Sequence, residues 1–240
     1  MEEQLVDEVE RERSSRKFVK YTFFKVAREW RFLKERAKNN ARSEFLAALK
    51  KHSSSVETKT YSLVGVRGDV DFMIWARSPE LDSLQTLAAD LNATKLGKYL
   101  QTTYSYLAMS KRSRYLGSHR HEGQEGSGEE RSFGNSKFLF VYPFMKKREW
   151  YRLPFAERQR MMAEHFKVGH RYPKIKINTG YSFGIDDQEF VLAFEGDSPS
   201  EFLDLVEELR GTDASAYTAL ETPIFTCRAL EPERMLSLIG

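Results

Sequence analysis

Apolar and polar residues alternate along Phe18–Val26 (FVKYTFFKV), the period of a half-buried strand, and the run is rich in aromatic residues. From Glu29 to Lys50 the period becomes helical. Trp30, Phe32 and Leu33, then Phe45, Leu46 and Leu49, fall on the helical spacing, with an expected break near Lys38-Asn39-Asn40. Ser53–Ser55 is a helix-ending polar cluster. Strands are predicted over Thr58–Val66 and Val70–Ala76, joined by the turn Arg67-Gly68-Asp69. Ser78-Pro79-Glu80 opens a helix with proline in its first turn and Leu81, Leu84, Leu87 and Leu91 on its apolar face. Tyr99–Met109 is a further strand. Residues 110–136 are then mostly Gly, Ser, Arg, Glu and His, the composition of a loop or linker.

The same order begins again beyond that loop. Lys137–Phe144 reads as a strand, Pro154–Val168 as a helix, and Ile175–Gly184 and Glu189–Phe194 as two strands. Ser198-Pro199-Ser200-Glu201 caps another helix with Phe202, Leu203, Leu205, Val206 and Leu209 on its apolar face. Thr222–Ala229 is the last strand and Pro232–Ile239 a short helix. The halves share residues as well as order. Tyr61 to Val66 matches Tyr181 to Ile185, Asp71 to Trp75 matches Glu189 to Ala193, and Ser78-Pro79 matches Ser198-Pro199. A chance likeness of amphipathic segments explains this ordered set less well than a duplication. The predicted fold class is therefore α+β: two fused ferredoxin-like β-α-β-β-α-β repeats whose sheets pack into a dimeric α+β barrel. The expected divisions are an N-terminal half, 1–115, a polar flexible loop, 116–136, and a C-terminal half, 137–240.

Composition narrows the function classes. Of 240 residues, 40% are hydrophobic and 30% charged, which suits a globular chain. A net charge of +3 argues against a nucleic-acid binder. The acidic and basic stretch Met1–Arg16 lacks the apolar core of a signal peptide, and the longest apolar run, Phe138–Met145, is interrupted by Tyr142 and Pro143. No membrane span is expected and the expected location is cytoplasmic. The single cysteine, Cys227, excludes an internal disulfide and any multi-cysteine metal site.

Candidate chemistry rests on few residues. No phosphate loop, Walker motif, nucleophile elbow or H-E-x-x-H is present. His119 and His121 lie in the polar loop and His52 ends a basic helix, so solvation or capping suffices for each. Asp186, Asp187 and Glu189 read as a turn between strands rather than a metal site. His165 differs, because it shares a helix face with Met161 and Met162. A packed, hydrogen-bonded histidine is the commoner outcome there; a neutral imidazole in an apolar wall is also what a haem iron takes as its axial ligand.

The segments V-Y-P-F-M-K-K-R (141–148), W-Y-R-L-P (150–154), R-x-x-M-x-x-E-H (158–165), G-x-R-Y (169–172), S-x-G-x-D-D (182–187), F-x-x-L-V-x-x-L-R (202–210), Ala214-Ser215-Ala216-Tyr217 and P-x-F (223–225) resemble the chlorite dismutase-like family, in particular its coproheme decarboxylase branch. The resemblance is strong from Phe138 to Phe225 and weak in the first half. It implies the duplicated barrel, assembly into a homo-oligomer with a pentameric ring favoured, and a porphyrin ligand, either haem b or iron-coproporphyrin III, with hydrogen peroxide as oxidant. Carried over, it makes His165 the iron ligand, Tyr142 the tyrosine whose radical starts propionate removal, and Lys146 the lysine beside the second reactive propionate. Ser215 and Trp150 join the binding set, and Arg131 is the implied propionate-binding arginine, although its spacing to Tyr142 differs.

One departure concerns the distal position, which is Arg in chlorite dismutases and Gln in many decarboxylases. Alignment back from Ser182 puts Ile177 there; counting forward from His165 puts Asn178 there. Neither is cationic, which disfavours chlorite dismutation. The loop between Arg148 and Trp150 is also shorter than in the decarboxylases. Three functions compete: oxidative decarboxylation of iron-coproporphyrin III to haem b; a haem-binding protein with weak peroxidase activity or a sensing or carrier role; and a structural barrel without haem.

Overall fold

The computed structural model describes residue 10, residues 13–115 and residues 133–240. Arg131, His119 and His121 lie outside the described residues. In chain order the strands are β1 (Phe18–Val26), β2 (Glu57–Ser62), β3 (Phe72–Ser78), β4 (Leu100–Ser110), β5 (Phe138–Lys146), β6 (Lys176–Tyr181), β7 (Phe190–Gly196), β8 (Thr218–Leu220) and β9 (Phe225–Ala229). The helices are α1 (Glu35–Lys51), α2 (Leu81–Ala93), α3 (Arg148–Arg152), α4 (Phe155–Gly169), α5 (Pro199–Arg210) and α6 (Pro232–Ser237), with three-ten turns at Arg28–Phe32, Gly97–Tyr99 and Asp213–Tyr217. No helix among the described residues is long and apolar enough to cross a membrane.

Contacts divide the chain into two compact units, Met1–Lys111 with Cys227–Gly240, and Arg112–Thr226. In the first, the strand order is β4-β1-β3-β2-β9 with antiparallel neighbours. Its core lies between the sheet and helices: Ala41, Phe45 and Leu49 from α1 and Leu84, Leu87 and Leu91 from α2 recur at three- and four-residue spacing and meet Phe24, Phe72 and Ile74. In the second, the order is β6-β7-β5-β8, again antiparallel. Phe140, Tyr142 and Phe194 on its sheet meet Val168 from α4 and Phe202 and Leu205 from α5. Both units thus carry the ferredoxin-like order, second-third-first-fourth strand, and the predicted α+β class with two repeats holds.

The structure alters several details. The expected second half, 137–240, loses its end to the first unit, because Arg228 and Ala229 pair with Ser62 and Tyr61 and Met235, Leu236 and Ile239 complete that core. The predicted break at 38–40 is absent. Glu35–Lys51 is one helix, and the interruption falls at Leu33 and Lys34, both extended. Asn39 and Asn40 are exposed, so their weak helix propensity is overridden by the packing of Ala41, Phe45 and Leu49. The two Ser-Pro pairs diverge as well. Ser198 caps α5 by accepting from Glu201 N, with Pro199 in the first turn, whereas Ser78 ends β3 and α2 starts only at Leu81.

The duplication is tighter than its matched segments suggested. β1 and β5, then the Arg28–Phe32 turn and α3, then the starts of α1 and α4, are all 120 residues apart. Arg28-Glu29-Trp30 recurs as Arg148-Glu149-Trp150, and both tryptophans are buried. Gly65 (φ 78°) and Gly184 (φ 75°) occupy equivalent turns in the left-handed region that glycine tolerates. The backbone closes each turn alike, with Leu63 N donating to Asp71 O and Ser182 N to Glu189 O, both at 2.8 Å. Ser182 therefore takes the place of Leu63 rather than Ser62. No atom lies within 4 Å of a methyl built on either glycine, so alanine there costs backbone strain alone. Gly65→Ala and Gly184→Ala should each destabilise their unit by about 1–2 kcal/mol in urea unfolding; a loss at one turn only would contradict their equivalence.

Candidate active site

Most of the predicted residues converge on the second unit, between α4, the end of β5 and the Asp213–Tyr217 turn. β5 leaves the sheet at Lys146, and α3 then folds back to bury Trp150 beside Met161 and Ala214. The Lys146 ammonium donates to Ala214 O at 2.6 Å and lies over the rings of Trp150 (4.7 Å) and Phe144 (5.3 Å). Its backbone is held too: Lys146 N donates to the Glu189 carboxylate at 2.9 Å, and Tyr151 Oη donates to the same oxygen at 2.5 Å. Burial depresses the Lys146 pKa to about 8, against the pull of Glu189 and Glu221.

His165, on α4, contacts the same turn. Its Nδ1 lies 3.4 Å from Thr212 Oγ1, whose single proton is donated to Leu209 O at 2.7 Å. The hydroxyl must therefore accept, and Nδ1 carries the hydrogen. Nε2 then bears the lone pair, and no hydrogen bond engages it among the described residues. Burial, aided by the Lys146 charge, lowers the His165 pKa to about 4, so the ring is neutral at ordinary pH. A neutral imidazole with an open Nε2 is what an iron ligand requires.

Tyr142 lies on β5 in the core cluster that Val168 of α4 joins, 6% exposed and stacked at 6.0 Å on Phe194. Burial, then the nearby Glu221 charge, raises its pKa well above the usual phenol range. Its hydroxyl has no hydrogen-bond partner among the described residues. The pleat separates the two distal candidates. Ile177 pairs with Phe194 and packs in the Tyr142 cluster; Asn178 pairs with Ala193 and points to the opposite face, donating to Glu195 Oε1 at 2.9 Å. Only Ile177 shares a face with Tyr142. Ser215 sits half-buried in the same turn as Ala214. A groove of ≈ 560 Å³ along α5, lined among others by Phe140, Phe202, Leu203 and Val206, contains none of the predicted site residues.

Sequence reasoning missed Glu189 and Thr212, the two side chains that hold Lys146 and His165. Glu189, read as part of an acidic turn, is 5% exposed. Its signal was the internal repeat: Asp71, its counterpart, likewise accepts from the last residue of the preceding first strand, Val26 N, at 2.8 Å. Thr212 carried no comparable signal.

Two ferredoxin-like repeats, with the half-buried His165 on the second, define a class, and comparison with known proteins gives its identity. Residues 38–230 match the profile described as Chlorite dismutase. A coproheme decarboxylase from Mycolicibacterium smegmatis is 35% identical over 178 residues, 74% of either chain. A mutant chlorite dismutase from Candidatus Nitrospira defluvii shares the fold with a TM-score of 0.84 at 20% identity, covering 92% of this chain and 94% of that one. A haem-binding protein from Thermus thermophilus does so at 0.82 and 21%, covering 93% and 95%. The chain belongs to the chlorite dismutase family.

The neutrality of His165 is directly measurable. A nitrogen-15 NMR titration of the ligand-free protein should keep the imidazole neutral down to a midpoint near pH 4; a midpoint near 6.5 would contradict its burial. In the unfolded chain the ring takes its proton near pH 6.5, so unfolding free energy should fall between pH 6.5 and 4, with a smaller slope in His165→Leu.

Proposed function

We propose that this protein is a haem-family oxidoreductase that decarboxylates iron-coproporphyrin III to haem b with hydrogen peroxide. The observation that carries the proposal is Tyr142: a side chain only 6% exposed, on the same apolar layer as Ile177 and Val168, whose hydroxyl has no partner among the described residues. The 35% identical coproheme decarboxylase supports the same reading.

The residues present fit such a substrate. His165 Nε2 is free to hold the iron. Lys146, a half-buried cation with no carboxylate on its ammonium among the described residues, and the Ser215 hydroxyl offer donors to propionates. Bound there, the iron would draw oxidising equivalents from peroxide. Each propionate then loses carbon dioxide and becomes a vinyl group: with one peroxide and one proton it yields carbon dioxide and two waters. Tyr142 serves as the hydrogen-atom carrier. Its raised pKa keeps it a phenol, so the proton leaves with the electron, and the resulting phenoxyl takes a hydrogen atom from the propionate side chain. Lys146 neutralises and orients the carboxylate until it leaves.

Ile177 favours a second reading, a haem-binding protein with weak peroxidase activity, because an apolar side chain on the Tyr142 face offers no hydrogen bond to a bound oxidant. The same residue argues against chlorite dismutation, which gains from a distal cation.

Adding peroxide to the iron-coproporphyrin complex and following mass separates these readings: loss of two carboxyl groups supports decarboxylation. Tyr142→Phe should bind iron-coproporphyrin within about threefold of wild type, since the lost hydroxyl makes no bond, yet release no carbon dioxide. Retained decarboxylation in that variant would sink the assigned role. His165→Ala should abolish the Soret shift on binding.

A further inference from the structure

Arginines around the site mostly have carboxylate partners. Arg148 pairs with Glu189 at 3.6 Å, Arg160 with Asp213 at 3.0 Å, Arg210 with Glu221 at 2.7 Å, and Arg171 with Glu208. Arg158 stands apart. Its guanidinium lies over the Phe155 ring at 5.7 Å and donates weakly to Tyr115 Oη at 3.3 Å. Its Nε is buried with no acceptor, and no carboxylate meets it among the described residues.

The repeat shows what has been removed. At the 120-residue spacing, Arg158 corresponds to Lys38 and Phe155 to Glu35. In the first unit the buried Lys38 is neutralised by Glu35 at 3.0 Å, one helical turn before it. In the second unit a phenyl ring stands where that carboxylate would be, so the cation keeps its place in the helix without its anion. Arg158 also lies in the first turn of α4, where the helix dipole disfavours a cation unless an anion accompanies it.

Its position suits a particular anion. Arg158 precedes His165 by seven residues, two turns on one face and about 10 Å along the axis. Tyr115 joins it to Trp150 (ring centroids 6.3 Å), and Trp150 joins that wall to Lys146. The wall therefore ends in a cation on either side, both within reach of the rim of a planar ligand held at His165. We propose that Arg158 binds a peripheral carboxylate of the tetrapyrrole and contributes to selection of carboxylate-rich porphyrins; this rests on the proposed function.

The test titrates ferric coproporphyrin III and its tetramethyl ester, in the same dilute detergent, into the full chain, with Soret absorbance as readout. Arg158→Gln should weaken binding of the tetra-acid about ten- to a hundredfold, the worth of a charged hydrogen bond, and leave the ester unchanged. Arg158→Lys should fall between. Phe155→Glu should restore the internal partner of Arg158 and weaken the tetra-acid comparably; Phe155 is 44% exposed, so this variant checks the inference even where loss of the arginine disturbs folding. Equal weakening of acid and ester, or no change in either variant, overturns the role of Arg158. Failure of the wild-type chain to bind either porphyrin overturns the proposed function and this inference with it.

Discussion

Two side chains able to carry positive charge, Lys146 and His165, share a half-buried pocket in which no carboxylate is hydrogen-bonded to either side chain among the described residues. Burial disfavours both charges, and each raises the cost of the other. The imidazole yields first because its ordinary pKa lies nearer neutrality, so His165 is a neutral ring beside a cation. That division of labour underlies the proposed site: a lone pair suited to a metal and, next to it, a charge suited to an acid. Lys146 can be kept there only because Ala214 O and two aromatic faces replace part of its hydration.

Backbone restraint makes the pairing possible. Glu189 spends one carboxylate oxygen on Lys146 N and Tyr151 Oη, fixing where β5 ends and α3 begins. Its buried charge is compensated chiefly by those bonds, with Arg148 at the rim. On the other side the Asp213–Tyr217 turn supplies Ala214 O to Lys146, while Thr212, just before it, faces His165. One short segment, Thr212–Ala214, thus touches both side chains, and a shift in it would move them together.

Much of the fold was legible because duplication writes every signal twice. Strand and helix periods, the turn glycines and the matched Tyr-Ser segments all point to two ferredoxin-like units. The element ends were less legible: Ser198 and Ser78 look alike in sequence, yet only Ser198 caps a helix, since capping depends on where the preceding strand stops. Within the site, spacing alone left His165 as one more packed histidine, and the family resemblance singled it out. Ile177 and Asn178 could not be separated by alignment because one residue is missing after Tyr172; the pleat separates them, since neighbours on a strand face opposite ways. Glu189 was hidden for a related reason, as burial of a turn acid depends on contacts remote in sequence.

The same scaffold packs hydrocarbon in one repeat where the other carries the proposed site, and a handful of positions account for the difference. Where the first repeat has Phe45, fully buried in its core, the second has His165; where the first ends its strand with Val26, the second has Lys146; Thr22 corresponds to Tyr142. Phe45 fills its space with hydrocarbon and stacks edge-on against Phe72 at 6.3 Å. His165 is a smaller ring that leaves the Nε2 lone pair without a hydrogen bond among the described residues. The first two exchanges replace packed hydrocarbon with groups whose polar capacity exceeds their bonds to Thr212 and Ala214: a lone pair on His165 Nε2 and further N–H donors on Lys146. Open polar capacity of this kind, gathered in one repeat beside apolar walls, is what a ligand site offers, and it supports the proposed reading apart from any family likeness.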